Sequence, residues 1–174
     1  MAFMSKSDAL GTLLVEAGEA AIALWIELGS PVNREQFNDA LNAHPEYKIY
    51  LEAHLHPMDK TSIYGSCYTA NNETWVTCLR AGATRWQQDF AFYHEVGHVV
   101  RGDTQEAGCL ELVTRDDLLT TPHEVFADAF AHTTMRLIMY GDSAIAMAPG
   151  RSSVDTERAG EIELLEDFYR RLRG

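Results

Sequence analysis

His94-Glu95-Val96-Gly97-His98 sets two imidazoles four residues apart, with a carboxylate beside the first. On a helix, positions i and i+4 share one face, so both rings can reach one metal ion. Zinc takes imidazole nitrogen at about 2.0–2.1 Å, and two such ligands make half of a tetrahedral site. Glu95 leaves the helix at another angle and is placed to meet a metal-bound water. The chemistry implied is hydrolysis, with a water made acidic by zinc and Glu95 as the general base that takes its proton.

A catalytic zinc site needs a third protein ligand. A close third histidine would require His at 104 and Gly at 101, and the chain has Thr104 and Arg101. The other solution is a glutamate from a following helix. Glu124 and Asp128 stand one turn apart in the segment that begins at Thr121-Pro122. Glu124 is the expected third ligand. Asp128 is the expected acceptor for a ligating imidazole's other N–H, which fixes the tautomer. Glu124 also fits position N3 of a capping box, with Thr121 as N-cap and Pro122 as N1. Asp103, Glu106, Glu111, Asp116 and Asp117 are further carboxylates in reach, in a loop-like stretch. An oxyanion donor is also needed. His132, two turns beyond Glu124, is ranked first, and His123, Tyr140, Arg136 and Tyr93 are the alternatives.

The elements that must hold these groups follow from periodicity. Trp86, Phe90, Phe92, Val96 and Val99 recur at helical spacing and predict a helix over 83–101, stopped by Gly102. A second helix is predicted over 122–140. Its Ala127 and Ala131, like Gly97 in the motif, are small enough to let two helices approach closely. Upstream, an amphipathic helix is predicted over 7–29, and a short one capped by Asn33 over 34–42. Three β-like segments follow, over 48–55, 61–68 and 74–79, with Asn71-Asn72 as a turn. The stretch 74–80 is the expected sheet edge for holding substrate as an added strand. A final helix is predicted over 155–173. The expected class is therefore α+β, a zincin-like single domain over 1–174 with N-terminal helices and a small antiparallel or mixed sheet. The active-site helix, the third-ligand helix and a C-terminal helix complete it.

The HEVGH run, the EVFADAFA run, and Arg85 with Phe90 before them resemble the ImmA/IrrE metallopeptidases, of gluzincin type. The resemblance covers about residues 85–130. It implies a cytoplasmic, bacterial or phage-borne zinc peptidase that cuts or inactivates a helix-turn-helix repressor. It carries His94, His98 and Glu124 over as zinc ligands, Glu95 as general base, and Asp128 as the acidic position after the third ligand. Tyr93 departs from the pattern, standing where a small residue is common.

Composition sets the bounds. The 174 residues are 46% hydrophobic and 23% charged, enough for one sizeable core. A net charge of −12 argues against independent nucleic-acid binding, which needs a basic face, and suits a basic protein partner. Glu16 and Glu19 interrupt the first apolar run, so neither a signal peptide nor a membrane span is expected. The three cysteines, Cys67, Cys78 and Cys109, cannot all pair within the chain and favour a reducing compartment. Cys67 and Cys78 could face each other across a hairpin, and small buried hydrophobes is their simpler role. His54 and His56 share a strand face but have no third ligand near in sequence. The competing reading is a zinc-binding regulatory module that inactivates a protein partner without cleaving it. The general base Glu95 favours catalysis.

Overall fold

The computed structural model describes residues 6–47, 49–50, 65–70, 74–79, 83–103 and 122–147. Helix α1, Lys6–Glu27, carries Leu14, Ala17, Ala21, Leu24 and Trp25 on its buried stripe. It ends where Gly29 and Ser30 adopt φ of 80° and 58°, and the Ser30 N–H donates to the Trp25 carbonyl at 2.9 Å. That bond satisfies a carbonyl the helix would otherwise orphan. The buried Trp25 indole donates to the Pro31 carbonyl at 2.9 Å and pins the exit loop.

Helix α2, Arg34–Ala43, starts at Asn33, whose side chain accepts from the Gln36 N–H. Its buried residues Phe37 and Leu41 are one turn apart. Phe37 packs edge-on against Tyr93, with ring centroids 5.2 Å apart, and against Phe92 at 6.2 Å. Tyr93 therefore has a packing reason here: its ring lies against α2.

Helix α3, Arg85–Arg101, holds the motif. Thr84 and Gln87 form a reciprocal capping box at its start, and Gly102, at φ 83°, closes it. Every residue from Phe90 to His98 is buried, so this part of the helix is enclosed on all sides. Helix α4, Pro122–Tyr140, packs against α3 and also against α1. A 3₁₀ turn, Gly141–Met147, follows it.

This body is 84% helical, four helices with no sheet, and the α+β zincin-like class is corrected accordingly. The physical reason is that the helices complete one another's cores. Among the residues whose side chains are described, each buried hydrophobic comes from a helix or from the 3₁₀ turn. Three short strands lie against the helices, β1 Ile49–Tyr50 near α2, and β2 Gly65–Ala70 and β3 Thr74–Leu79 near α3. β3 lies between a parallel β1 and an antiparallel β2. The expected substrate-holding edge over 74–80 is thus paired with β2 along 74–79 and with β1 at Trp75 and Val76. Cys67 stands opposite Thr77 and Cys78 opposite Ser66, so the cysteines are not register partners. His54, His56, Cys109, Thr121 and the helix expected over 155–173 lie outside the described residues. Among those described, no helix is long and apolar enough to cross a membrane.

The contact of α3 with α4 is set by Gly97. A Cβ there would lie 2.9 Å from the Ala127 Cα and 3.3 Å from the Ala127 carbonyl oxygen and the Phe130 Cβ. Two of those three neighbours are backbone, which cannot turn aside. Gly97→Ala is expected to push the helices apart and destabilise the fold by about 1–3 kcal/mol. Urea denaturation of the variant against wild type measures this.

Candidate metal centre

Each group in the centre is delivered by a helix. His94 and His98 project from α3 towards α4, and Glu124 sits in the first turn of α4. All three are buried, at 1%, 0% and 1% exposure. Their ligand atoms lie within 4.8 Å of one another, an arrangement that could hold a metal ion. The His94 Nε2 is 3.3 Å from Glu124 Oε2, and the His98 Nε2 is 3.5 Å from Glu124 Oε1. The two Nε2 atoms are 3.0 Å apart. A tetrahedral ion with bonds of about 2.1 Å spaces its ligand atoms about 3.4 Å apart. The observed separations bracket that figure.

The outer nitrogens explain why the inner ones converge. His94 Nδ1 lies 2.8 Å from Asp128 Oδ1, and His98 Nδ1 lies 3.3 Å from Asp103 Oδ2. A carboxylate can only accept, so each Nδ1 carries the proton and donates it. In a neutral ring, each Nε2 is then left with a lone pair aimed inward. Two lone pairs at 3.0 Å, facing a carboxylate, repel unless positive charge sits among them. Glu124 Oε2 is also buried without a hydrogen-bond partner among the described residues. The donor set therefore fits a divalent cation.

Protons answer the same demand for positive charge, and a cation would take their place on Nε2. Burial opposes charge on His94, but the Asp128 and Glu124 carboxylates outweigh it and hold its pKa well above the ordinary value. Burial would raise the Glu124 carboxyl, yet the His94 and His98 imidazoles beside it hold it at about 2. Asp128 is pushed up by burial.

Glu95 is buried at 1% exposure, beside His94, whose charged form it favours. His123 is a more exposed neighbour of the centre. Its Nε2 is 3.7 Å from Glu124 Oε1, its ring centroid 6.1 Å from that of His98, and its side chain 37% exposed. His132 lies deeper along α4, at roughly 12 Å of helix rise from Glu124. Tyr140 lies roughly 24 Å along the same axis and is exposed. His123, one of the expected oxyanion donors, thus lies beside a candidate ligand.

Arg85 and Phe90 have distinct surroundings. Arg85 Nη2 donates to Glu35 Oε1 at 2.6 Å, and its Nε lies 2.8 Å from Asp89 Oδ1. Arg34 reaches the same Asp89 oxygen at 3.0 Å. These pairs tie α2 to the first turns of α3. The Phe90 ring lies 6.2 Å from the His94 ring. Asp103 was visible in the sequence only as one of several loop carboxylates. The overlooked signal was electrostatic: an anion just past a helix C-terminus opposes the macrodipole and calls for a separate reason.

No family model matches the chain, and no curated protein or solved structure matches it either.

Burial, with Arg136 near, depresses His132 to about 4. Its folded form thus binds a proton less readily than its unfolded form, at about 6.5. Stability from this group is present above about 6.5 and is lost as pH falls through about 4. His132→Gln is expected to lose less stability than wild type between pH 7 and pH 4.5. Urea midpoints at the two pH values report the difference.

Proposed function

We propose that this chain is a zinc-dependent metallopeptidase that hydrolyses a peptide bond in a protein partner. The observation that supports it is the convergence of His94 Nε2, His98 Nε2 and the Glu124 carboxylate, with Glu95 buried beside them. Two histidines and one glutamate are three protein ligands, which leaves a fourth position for water or substrate. A structural zinc site would need four protein ligands and no buried base. A zinc ion held by His94, His98 and Glu124 would acidify a bound water and polarise the substrate carbonyl.

Glu95 takes the proton of the attacking water and delivers it to the leaving amine. Asp128 keeps the His94 ring in one tautomer. His123, at the open side, offers a ring N–H to the carbonyl oxygen as negative charge develops there. The buried walls of α3 and α4 exclude other water. The motif resemblance to ImmA/IrrE peptidases points to a helix-turn-helix repressor as substrate. The chain's net charge of −12 suits such a basic partner.

Two variants test the reading. Wild type purified without added metal is expected to carry about one zinc per chain, and Glu124→Ala far less. Elemental analysis decides this, and a folded wild type that takes up no zinc would sink the proposal. Glu95→Gln is expected to keep its zinc and lose cleavage by roughly 10²–10⁴-fold. A helix-turn-helix protein from the gene neighbourhood serves as trial substrate, with products read by mass. Unchanged cleavage by Glu95→Gln would remove Glu95 from the mechanism.

A further inference from the structure

The two imidazoles of the centre are held differently. His94 is oriented by Asp128, a neighbour on the helix that also carries Glu124. His98 is oriented by a residue of its own chain segment, five positions on. That geometry depends on Gly102. Its φ of 83° is a left-handed turn that glycine adopts without penalty, and its N–H bonds the His98 and Val99 carbonyls. The turn brings Asp103 back over the helix end, with Oδ2 3.3 Å from His98 Nδ1. The other oxygen of Asp103 faces the Arg101 Nε at 3.7 Å. Arg101 in turn lies 5.4 Å over the Phe126 ring of α4. A chain of contacts thus runs from α4 through Arg101 and Asp103 to His98, and His98 faces Glu124 of α4 again.

Without Asp103, His98 could place its proton on either nitrogen. A proton on Nε2 points at His94 Nε2, 3.0 Å away, and removes the lone pair a metal needs. An anion beside Nδ1 prevents this. It does for His98 what Asp128, on α4, does for His94.

We infer that Asp103 is the positioning residue for His98, holding its Nε2 lone pair towards the metal position through the Gly102 turn. The inference rests on the metal-site reading above. Asp103 is partly exposed, at 21% for its side chain, so replacement there leaves the helical core in place.

The test is zinc affinity, measured by titrating Zn²⁺ alone against a competing chelator. Asp103→Ala and Asp103→Ser are each expected to bind zinc about 10–100-fold more weakly than wild type. Asp103→Asn keeps an acceptor oxygen at the same place and is expected to recover most of that loss. Ring ¹⁵N shifts of His98 in the metal-free chain give an independent readout. They are expected to report Nδ1–H in wild type and a mixture with Nε2–H in Asp103→Ala. Zinc affinity in Asp103→Ala and Asp103→Ser within about twofold of wild type overturns the assignment alone. Equal losses in Asp103→Asn and Asp103→Ala overturn it also, because an acceptor at that position would then not matter. A wild-type chain that takes up no zinc overturns both this inference and the metal site beneath it.

Discussion

Two imidazole nitrogens facing each other at 3.0 Å, deep inside a helical body, are the constraint on which the rest of this structure turns. Neutral rings would avoid that approach, because each offers a lone pair to the other. The approach is enforced from behind, by Asp128 on one ring and Asp103 on the other. The carboxylate of Glu124 closes the third side. Burying such a set is unfavourable unless something positive completes it. The fold can be understood as the means of holding these groups close despite their mutual repulsion.

That task explains features that would otherwise look unrelated. Gly97 removes a side chain at the point where α3 crosses Ala127, and the crossing sets how far Glu124 stands from the histidines. The capping box at Thr84 and the Arg34–Asp89–Arg85–Glu35 pairs fix the start of α3 relative to α2. Exposed ion pairs of this kind contribute little each, but here they share Asp89 and so act as a small network. Phe37 and Leu41 then supply apolar packing, with Phe37 under Tyr93 and Phe92. Position along α3 is defined at its start, and depth is defined at its middle.

Much of this was legible in the sequence because it is local. Helical spacing of apolar residues located α1 to α4, and Asn33, Gly102 and Pro122 marked their limits. The i,i+4 geometry of His94 and His98 needs no tertiary knowledge. The overall class did not follow from local pattern. Alternating and β-branched residues over 48–79 argued for an α+β domain, yet the packed body is formed by helices that cover one another. Strand order was also beyond reach, since the pattern of 74–79 looks the same at an edge or in the middle. Asp103 was missed for a related reason. Its role comes from a left-handed turn that folds the chain back, and neither spacing nor hydrophobicity encodes that turn.

The charge inventory of the centre leads one step further. Glu95, Asp103, Glu124 and Asp128 surround two imidazoles, and three of these carboxylates are nearly inaccessible to water. Protons alone can relieve the repulsion only by sitting on Nε2 or on a carboxylate, and each choice removes a ligand or the base. A divalent ion would relieve it while leaving each ring its Nδ1 proton and each carboxylate its charge. Metal uptake and the stability of the α3–α4 contact would then be one equilibrium, because the ion would bind atoms from both helices. Acid should act on that equilibrium in a set direction: protons compete with the metal for the same nitrogens, so lowering pH loosens the contact as it releases the ion.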